Sequence, residues 1–163
     1  MERVSKRNYY LDIAQTVLER ATCLRRVYGA IIVKNDEIIS TGYNGAPRGR
    51  KNCVDLGYCT REQLKVPRGE RYELCRSVHA EANAIISAAR RDMIGGTLYL
   101  VGRSAADGEL LHDTTSCAMC RRMIINSGIT RVVNRIGDDG IEIIDVLNWI
   151  VNDESIQPKA EAE

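Results

Sequence analysis

Apolar residues recur at Tyr9, Ile13, Val17 and Leu18, near the spacing of one helix face, and predict an amphipathic helix over residues 5–21. Two runs rich in Val and Ile follow, 27–33 and 38–41. Lys34-Asn35-Asp36-Glu37 joins them, so the pair reads as a β-hairpin. Residues 41–49, Thr-Gly-Tyr-Asn-Gly-Ala-Pro-Arg-Gly, are turn chemistry in a position where loops often carry function. Residues 52–76 show no clean period, and a stretch that long inside a compact domain needs a function or a clamp. An apolar stripe at Val78, Ala82, Ile85, Ile86 and Ala89, stopped by Gly95-Gly96, predicts a helix over 77–91.

The second half continues the alternation. Residues 97–101 read as a strand and 102–115 as a polar loop. Ser116 is placed to cap a helix that runs to about Asn126 and closes at Gly128. Residues 131–134 read as a short strand and 141–151 as partly helical. Residues 152–163 are a polar tail containing Pro158, of the kind that frays. Strands alternating with helices give an α/β layered architecture. Neither an internal repeat nor a linker divides residues 1–151, which read as a single domain with a Cys-rich insert at about 49–76.

Composition narrows the class. The chain has 163 residues, a net charge of +1 and no Phe, so the core is aliphatic. A balance so close to neutral argues against a nucleic-acid partner, which usually calls for a clearly basic face. No apolar run spans a bilayer, so no membrane role is expected. Met1–Arg7 is charged, with no signal-like stretch before Tyr9, and a cytoplasmic location is expected. Six cysteines in a reducing compartment point to metal binding rather than disulfides.

The chemistry concentrates in His79-Ala80-Glu81 and Cys117-Ala118-Met119-Cys120. Cys117 and Cys120, three apart on a first helical turn, face the same way, and the helix start favours their thiolates. His79 and Glu81, two apart, can serve one site only where a helix begins. Three ligands, His79, Cys117 and Cys120, leave the fourth position of a zinc ion for water, and Glu81 is then the proton carrier. His-x-Glu with Cys-x-x-Cys is the signature of zinc nucleobase deaminases, although Ser116 stands where that signature has Pro.

Longer blocks carry a narrower resemblance. Tyr28–Val33, Ile39–Pro47, Gly69–Cys75, His79–Ile86 and Met123–Ile129 together resemble the deoxycytidylate (dCMP) deaminases over about residues 9–135. The resemblance implies conversion of dCMP to dUMP and ammonia for thymidylate synthesis. It implies a three-layer α/β/α cytidine-deaminase-like domain around a mixed five-stranded sheet, in a homo-oligomer that is often a hexamer. It also implies control by the effectors dCTP and dTTP with magnesium. Asn44 matches the family's substrate-contacting Asn, and Gly42, Tyr43, Asn44 and Gly45 match the stretch associated with effector response. Ala80 and Ser116 flank the catalytic groups and join the substrate-binding set.

Cys23, Cys53, Cys59 and Cys75 stand outside the first motif. Four thiolates on a second, structural zinc would clamp the irregular insert, and some dCMP deaminases carry such an ion in this region. Free cysteines packed as small hydrophobes are the alternative. Arg25, Arg26 and Arg48 lie in or near loops expected around the pocket and are candidates for a nucleotide phosphate. Arg90 and Arg91 fall at a helix end that can face a subunit interface. His112 and Asp113 sit in the long loop before the second motif. Tyr43 and Tyr72 are placed either to stack on a base or simply to pack. A deaminase of another free or modified pyrimidine nucleotide, a silent zinc-binding regulatory protein and a nucleic-acid editor are the rival functions, and the intact Glu81 speaks against silence.

Overall fold

A computed structural model of the protein describes residues 1–156; the part of the polar tail from 157 onward, Pro158 included, lies outside the described residues. Helix α1 (Lys6–Leu18) leads into strands β1 (Arg26–Lys34) and β2 (Glu37–Tyr43). Short helices α2 (Cys53–Leu56) and α3 (Thr60–Gln63) and a 3₁₀ turn (Tyr72–Leu74) form the insert. Helices α4 (Ala80–Ile86) and α5 (Arg90–Met93) precede β3 (Thr97–Ser104). Helix α6 (Ala118–Ser127), strands β4 (Arg131–Ile136) and β5 (Gly140–Asp145), and α7 (Val146–Val151) complete the chain, with a last 3₁₀ turn at Glu154–Ile156.

The five strands run in the order β2-β1-β3-β4-β5. β3 and β4 are parallel, and every other neighbouring pair is antiparallel, so the sheet is mixed as expected. The hairpin turn places Asn35 and Asp36 at φ 52° and 61°, the left-handed pair of a two-residue type I′-like connection. β1 is buried along nearly its whole length because both sheet faces are covered. On one face α1 buries Tyr10, Leu11, Ala14 and Leu18 against Val27, Ile31, Val33, Val101 and Val133. On the other, Ala80 and Ala84 of α4 and Ile124 of α6 pack on Ala30, Ile32, Leu98, Leu100 and Val132. The architecture is thus three-layered.

Two glycines set how close the helices come. A Cβ on Gly29 would lie 2.1 Å from the Ala14 carbonyl oxygen, and one on Gly42 would lie 2.3 Å from that of Ala80. Bare backbone on β1 and β2 therefore lets α1 and α4 seat directly on the sheet.

Three expectations change. The helix predicted over 77–91 is two pieces: α4 ends at Ser87 and α5 restarts after Ala89. Residues 141–151 are first strand β5 and only then helix α7. Ser116 does not cap α6; Cys117 holds the N-cap position, and Ser116 is buried just before it. Ser5, by contrast, caps α1 by accepting from the Asn8 amide, and Gly128 closes α6 at φ 82°.

Candidate zinc site and its pocket

His79 is the N-cap of α4, which makes Ala80 and Glu81 the first two helical residues. Cys117 is the N-cap of α6 and Cys120 lies one turn on. The two helix starts meet. Sγ of Cys117 lies 3.4 Å, and Sγ of Cys120 3.5 Å, from Nδ1 of His79. The candidate ligand atoms of all three lie within 4.8 Å of one another. One nitrogen and two sulfurs converging at that range fit the donor set of a zinc ion with one open position.

The titration shifts of the three groups reflect how closely they are packed. Cys117 is pulled down to about 4, chiefly because the Cys120 thiol donates to it and His79 sits beside it. Cys120 is pushed up by that same contact and by burial. His79 is raised to about 10, first by its hydrogen bond to Cys117. One thiolate and an imidazolium are thus already stabilised where a dication would replace the protons. Glu81 is buried, and loss of solvent pushes its carboxyl above the ordinary range. A carboxyl shifted in that direction binds a proton more readily than an exposed one, as suits a proton carrier.

The approach to His79 is fixed from the β2 end. Gly45 and Val78 exchange backbone hydrogen bonds of 3.2 and 2.7 Å, stitching the turn-rich loop to the residue before His79. Asn83 of α4 donates to the Tyr43 carbonyl at 2.8 Å. Tyr72 meets the His79 ring edge-on, with centroids 5.3 Å apart.

A cavity of about 510 Å³ opens over this centre, a volume suited to a nucleotide-sized ligand. His79, Glu81 and Cys117 line it, together with Tyr28, Asn44 and Tyr72 and the cations Arg25, Arg26, Arg61 and Arg68. Asn44 is buried, and both halves of its amide engage β1: Oδ1 accepts from Tyr28 N at 2.8 Å and Nδ2 donates to the Arg26 carbonyl at 2.9 Å. Asn44 therefore fixes the strand segment that carries Arg26 and Tyr28. Ala80 and Ser116 are buried beside the centre, and the Ser116 hydroxyl neighbours Glu81 closely enough to temper its carboxyl.

Several expected residues are placed elsewhere. Arg48 does not line this cavity. It borders a second hollow of about 430 Å³ on the β2 side, with Gly42, Tyr43 and Gly45. Tyr43 thus lies away from the zinc pocket, whereas Asn44 lines it. Arg90 donates to the Asn126 carbonyl at 2.7 Å, tying α5 to α6, and Arg91 is exposed. The His112 ring packs on Gly137, where a Cβ would come within 2.5 Å of it. Arg68 was missed in the sequence; it sits in the aperiodic insert, where no pattern marks it.

The four remaining cysteines do not form a second ligand group among the described residues; the one such group is His79, Cys117 and Cys120. Cys23, Cys59 and Cys75 line the main cavity, and Cys53 is buried. Polar side chains clamp the insert. Arg61, itself buried, donates to the carbonyls of Pro67 and Glu70 and stacks 4.6 Å from the Tyr72 ring. Oδ1 of Asn52 accepts from the Thr22 hydroxyl at 2.9 Å and from Ala46 N at 3.3 Å.

Comparison with known proteins agrees with this geometry. The cytidine and deoxycytidylate deaminase zinc-binding region matches residues 4–135. Over 138 residues the chain is 37% identical to the deoxycytidylate deaminase of Mycobacterium phage D29, a match covering 82% of this chain and 96% of the phage protein. It is 34% identical over 131 residues to that of Schizosaccharomyces pombe, covering 80% of this chain but 37% of the yeast protein, so it spans little more than a third of that relative's length. The crystal structure of dCMP deaminase from the cyanophage S-TIM5 in apo form superposes with a TM-score of 0.58 at 25% identity, covering 85% of this chain and 88% of that one. The chain belongs to the cytidine and deoxycytidylate deaminase family.

Proposed function

We propose that this protein is a zinc-dependent deaminase that converts dCMP and water to dUMP and ammonia, supplying dUMP for thymidylate synthesis. One observation carries the reading: a buried carboxyl, Glu81, stands beside the His79–Cys117–Cys120 donor set at a cavity whose lining also includes Arg25, Arg26 and Arg68. A deaminating centre and cations for a phosphate share one space. The names of the D29 and S. pombe relatives support the same substrate, and the S-TIM5 enzyme has been crystallised in complex with dCMP and dUMP.

In this reading His79, Cys117 and Cys120 hold the zinc, which when bound supplies a Lewis acid that acidifies a water molecule. Glu81 takes one proton of that water and passes it to the pyrimidine ring nitrogen as the oxygen adds to the amino-bearing ring carbon; it then takes the remaining proton of the added hydroxyl and gives it to the amine, which leaves as ammonia as the carbonyl forms. Its burial raises the carboxyl's affinity for that proton. Asn44, Ala80 and Ser116 shape the base-binding end, while Arg25 and Arg26 face the phosphate. Residues 1–151 act as one deaminase domain. The hollow bordered by Gly42, Tyr43, Gly45 and Arg48 is the place for nucleotide effectors such as dCTP and dTTP with magnesium. Assembly into a homo-oligomer belongs to the same reading.

The test is ammonia release from dCMP, CMP, dCTP and deoxycytidine by the zinc-loaded protein. Turnover of dCMP well above the others is expected. Deoxycytidine turned over as fast as dCMP would remove the phosphate from the account.

A further inference from the structure

Among the cations of the cavity, Arg26 and Arg68 share one partner. Asp113, from the long loop between β3 and α6, places both carboxylate oxygens 3.2 Å from Nη1 of Arg26. Its Oδ2 also lies 3.8 Å from Nη2 of Arg68. Arg26 belongs to β1 and Arg68 to the Cys-rich insert, so a single carboxylate joins two different elements, each with an arginine that lines the cavity. In the neighbouring pair Arg25–Glu62, at 3.0 Å, Glu62 holds one arginine among the described residues and so does not bridge two elements as Asp113 does.

A carboxylate held between two guanidiniums occupies the place that a phosphate group would take, because both anions use the same forked donors. The grip is weak. The side chains of Asp113 and Arg68 are 62% and 69% exposed, and ion pairs so open to water are easily exchanged. We propose that Asp113 is a phosphate-mimicking residue that occupies the phosphate position between Arg26 and Arg68 and is displaced by the monophosphate of the incoming nucleotide. This rests on the nucleotide-monophosphate reading of the same pocket. The carboxylate keeps the two arginines apart from stray anions, and it opposes any phosphate by charge until the exchange is complete.

The proposal makes removal of a negative charge improve binding. Calorimetry with inorganic phosphate as the probe, on zinc-loaded wild type, Asp113→Asn and Arg68→Gln, is decisive whatever the substrate turns out to be. Asp113→Asn is expected to tighten phosphate binding about fivefold, and Arg68→Gln to weaken it. With dCMP, Asp113→Asn should lower KM by a similar factor while kcat stays level, and the Kd for deoxycytidine should not move. Phosphate binding that is unchanged or weaker in Asp113→Asn overturns the proposal, as does an equal shift for dCMP and deoxycytidine. A wild type that binds phosphate in this way but releases no ammonia from dCMP would instead count against the proposed activity alone.

Discussion

Arg121 donates its Nε to the Ser116 carbonyl at 3.0 Å, bracing the residue just before the candidate ligand Cys117. The same guanidinium reaches the Thr115 hydroxyl at 3.3 Å, lies 5.1 Å from the Trp149 ring of α7, and approaches Glu154 at 3.8 Å. Ser116 stands where the family signature has a φ-locked Pro, and its own hydroxyl does not cap α6. Arg121 therefore supplies from the side the rigidity that Pro supplies from within, and it couples α7 to the turn that carries the candidate ligand Cys117. Outer partners of this kind commonly change metal affinity by about 10- to 100-fold. Arg121→Ala should raise the zinc dissociation constant about tenfold in a chelator competition, with Arg121→Lys intermediate. Unchanged zinc retention would show that the turn holds itself.

The seat of α4 is tested at Gly42. A Cβ there would stand 2.3 Å from the Ala80 carbonyl oxygen and 2.4 Å from Ala84 N, both backbone atoms that cannot swing aside. Gly42→Ala should cost about 1–3 kcal/mol in urea unfolding, the usual range for overpacking. Activity should fall further than stability alone requires, because His79 and Glu81 open the displaced helix. Wild-type stability and turnover in this variant would contradict the close packing.

Asp36 gives the protein a pH signature away from the zinc centre. Its carboxylate accepts from Lys6 and from the Tyr10 hydroxyl, and those contacts, Lys6 foremost, hold it below the ordinary carboxyl range. The Tyr10 hydroxyl is raised to about 12, chiefly by the same hydrogen bond. A depressed acid stabilises above its unfolded pKa and loses that contribution as pH falls through the folded value. A raised phenol stabilises below its unfolded value of 10.0 and loses the contribution as pH climbs toward 12. The stability difference between wild type and Asp36→Asn should therefore be widest between these limits and narrow at both ends. Tyr10→Phe should flatten the alkaline end only. A difference independent of pH, read from urea midpoints, would rule out this linkage.

Some of this was legible in the chain and some was not, for physical reasons. His79 and Glu81 are two residues apart, which left a helix start as their only shared geometry, and α4 begins there. The Asn35-Asp36 turn was readable because few residues tolerate φ above zero. The break between α4 and α5 was hidden, since the apolar stripe runs unbroken through Ile86 and Ala89 although Ile86 is largely exposed. β5 lies at a sheet edge and runs directly into α7 at Val146 with no Gly or Pro between them, so no turn signal separates strand from helix. The insert was legible only as something needing a clamp. That the clamp is Arg61 and Asn52, acting on distant backbone and hydroxyl groups, depends on contacts that no local pattern encodes.

The most direct measurement of the central claim is conversion of dCMP to dUMP by wild type and Glu81→Gln at matched zinc content. Glu81→Gln removes the proton carrier and leaves His79, Cys117 and Cys120 in place. The account predicts one catalytic zinc retained in the variant and turnover reduced by at least about 10²- to 10⁴-fold, the scale of general acid–base catalysis. Zinc-loaded Glu81→Gln that forms dUMP at the wild-type rate would contradict it.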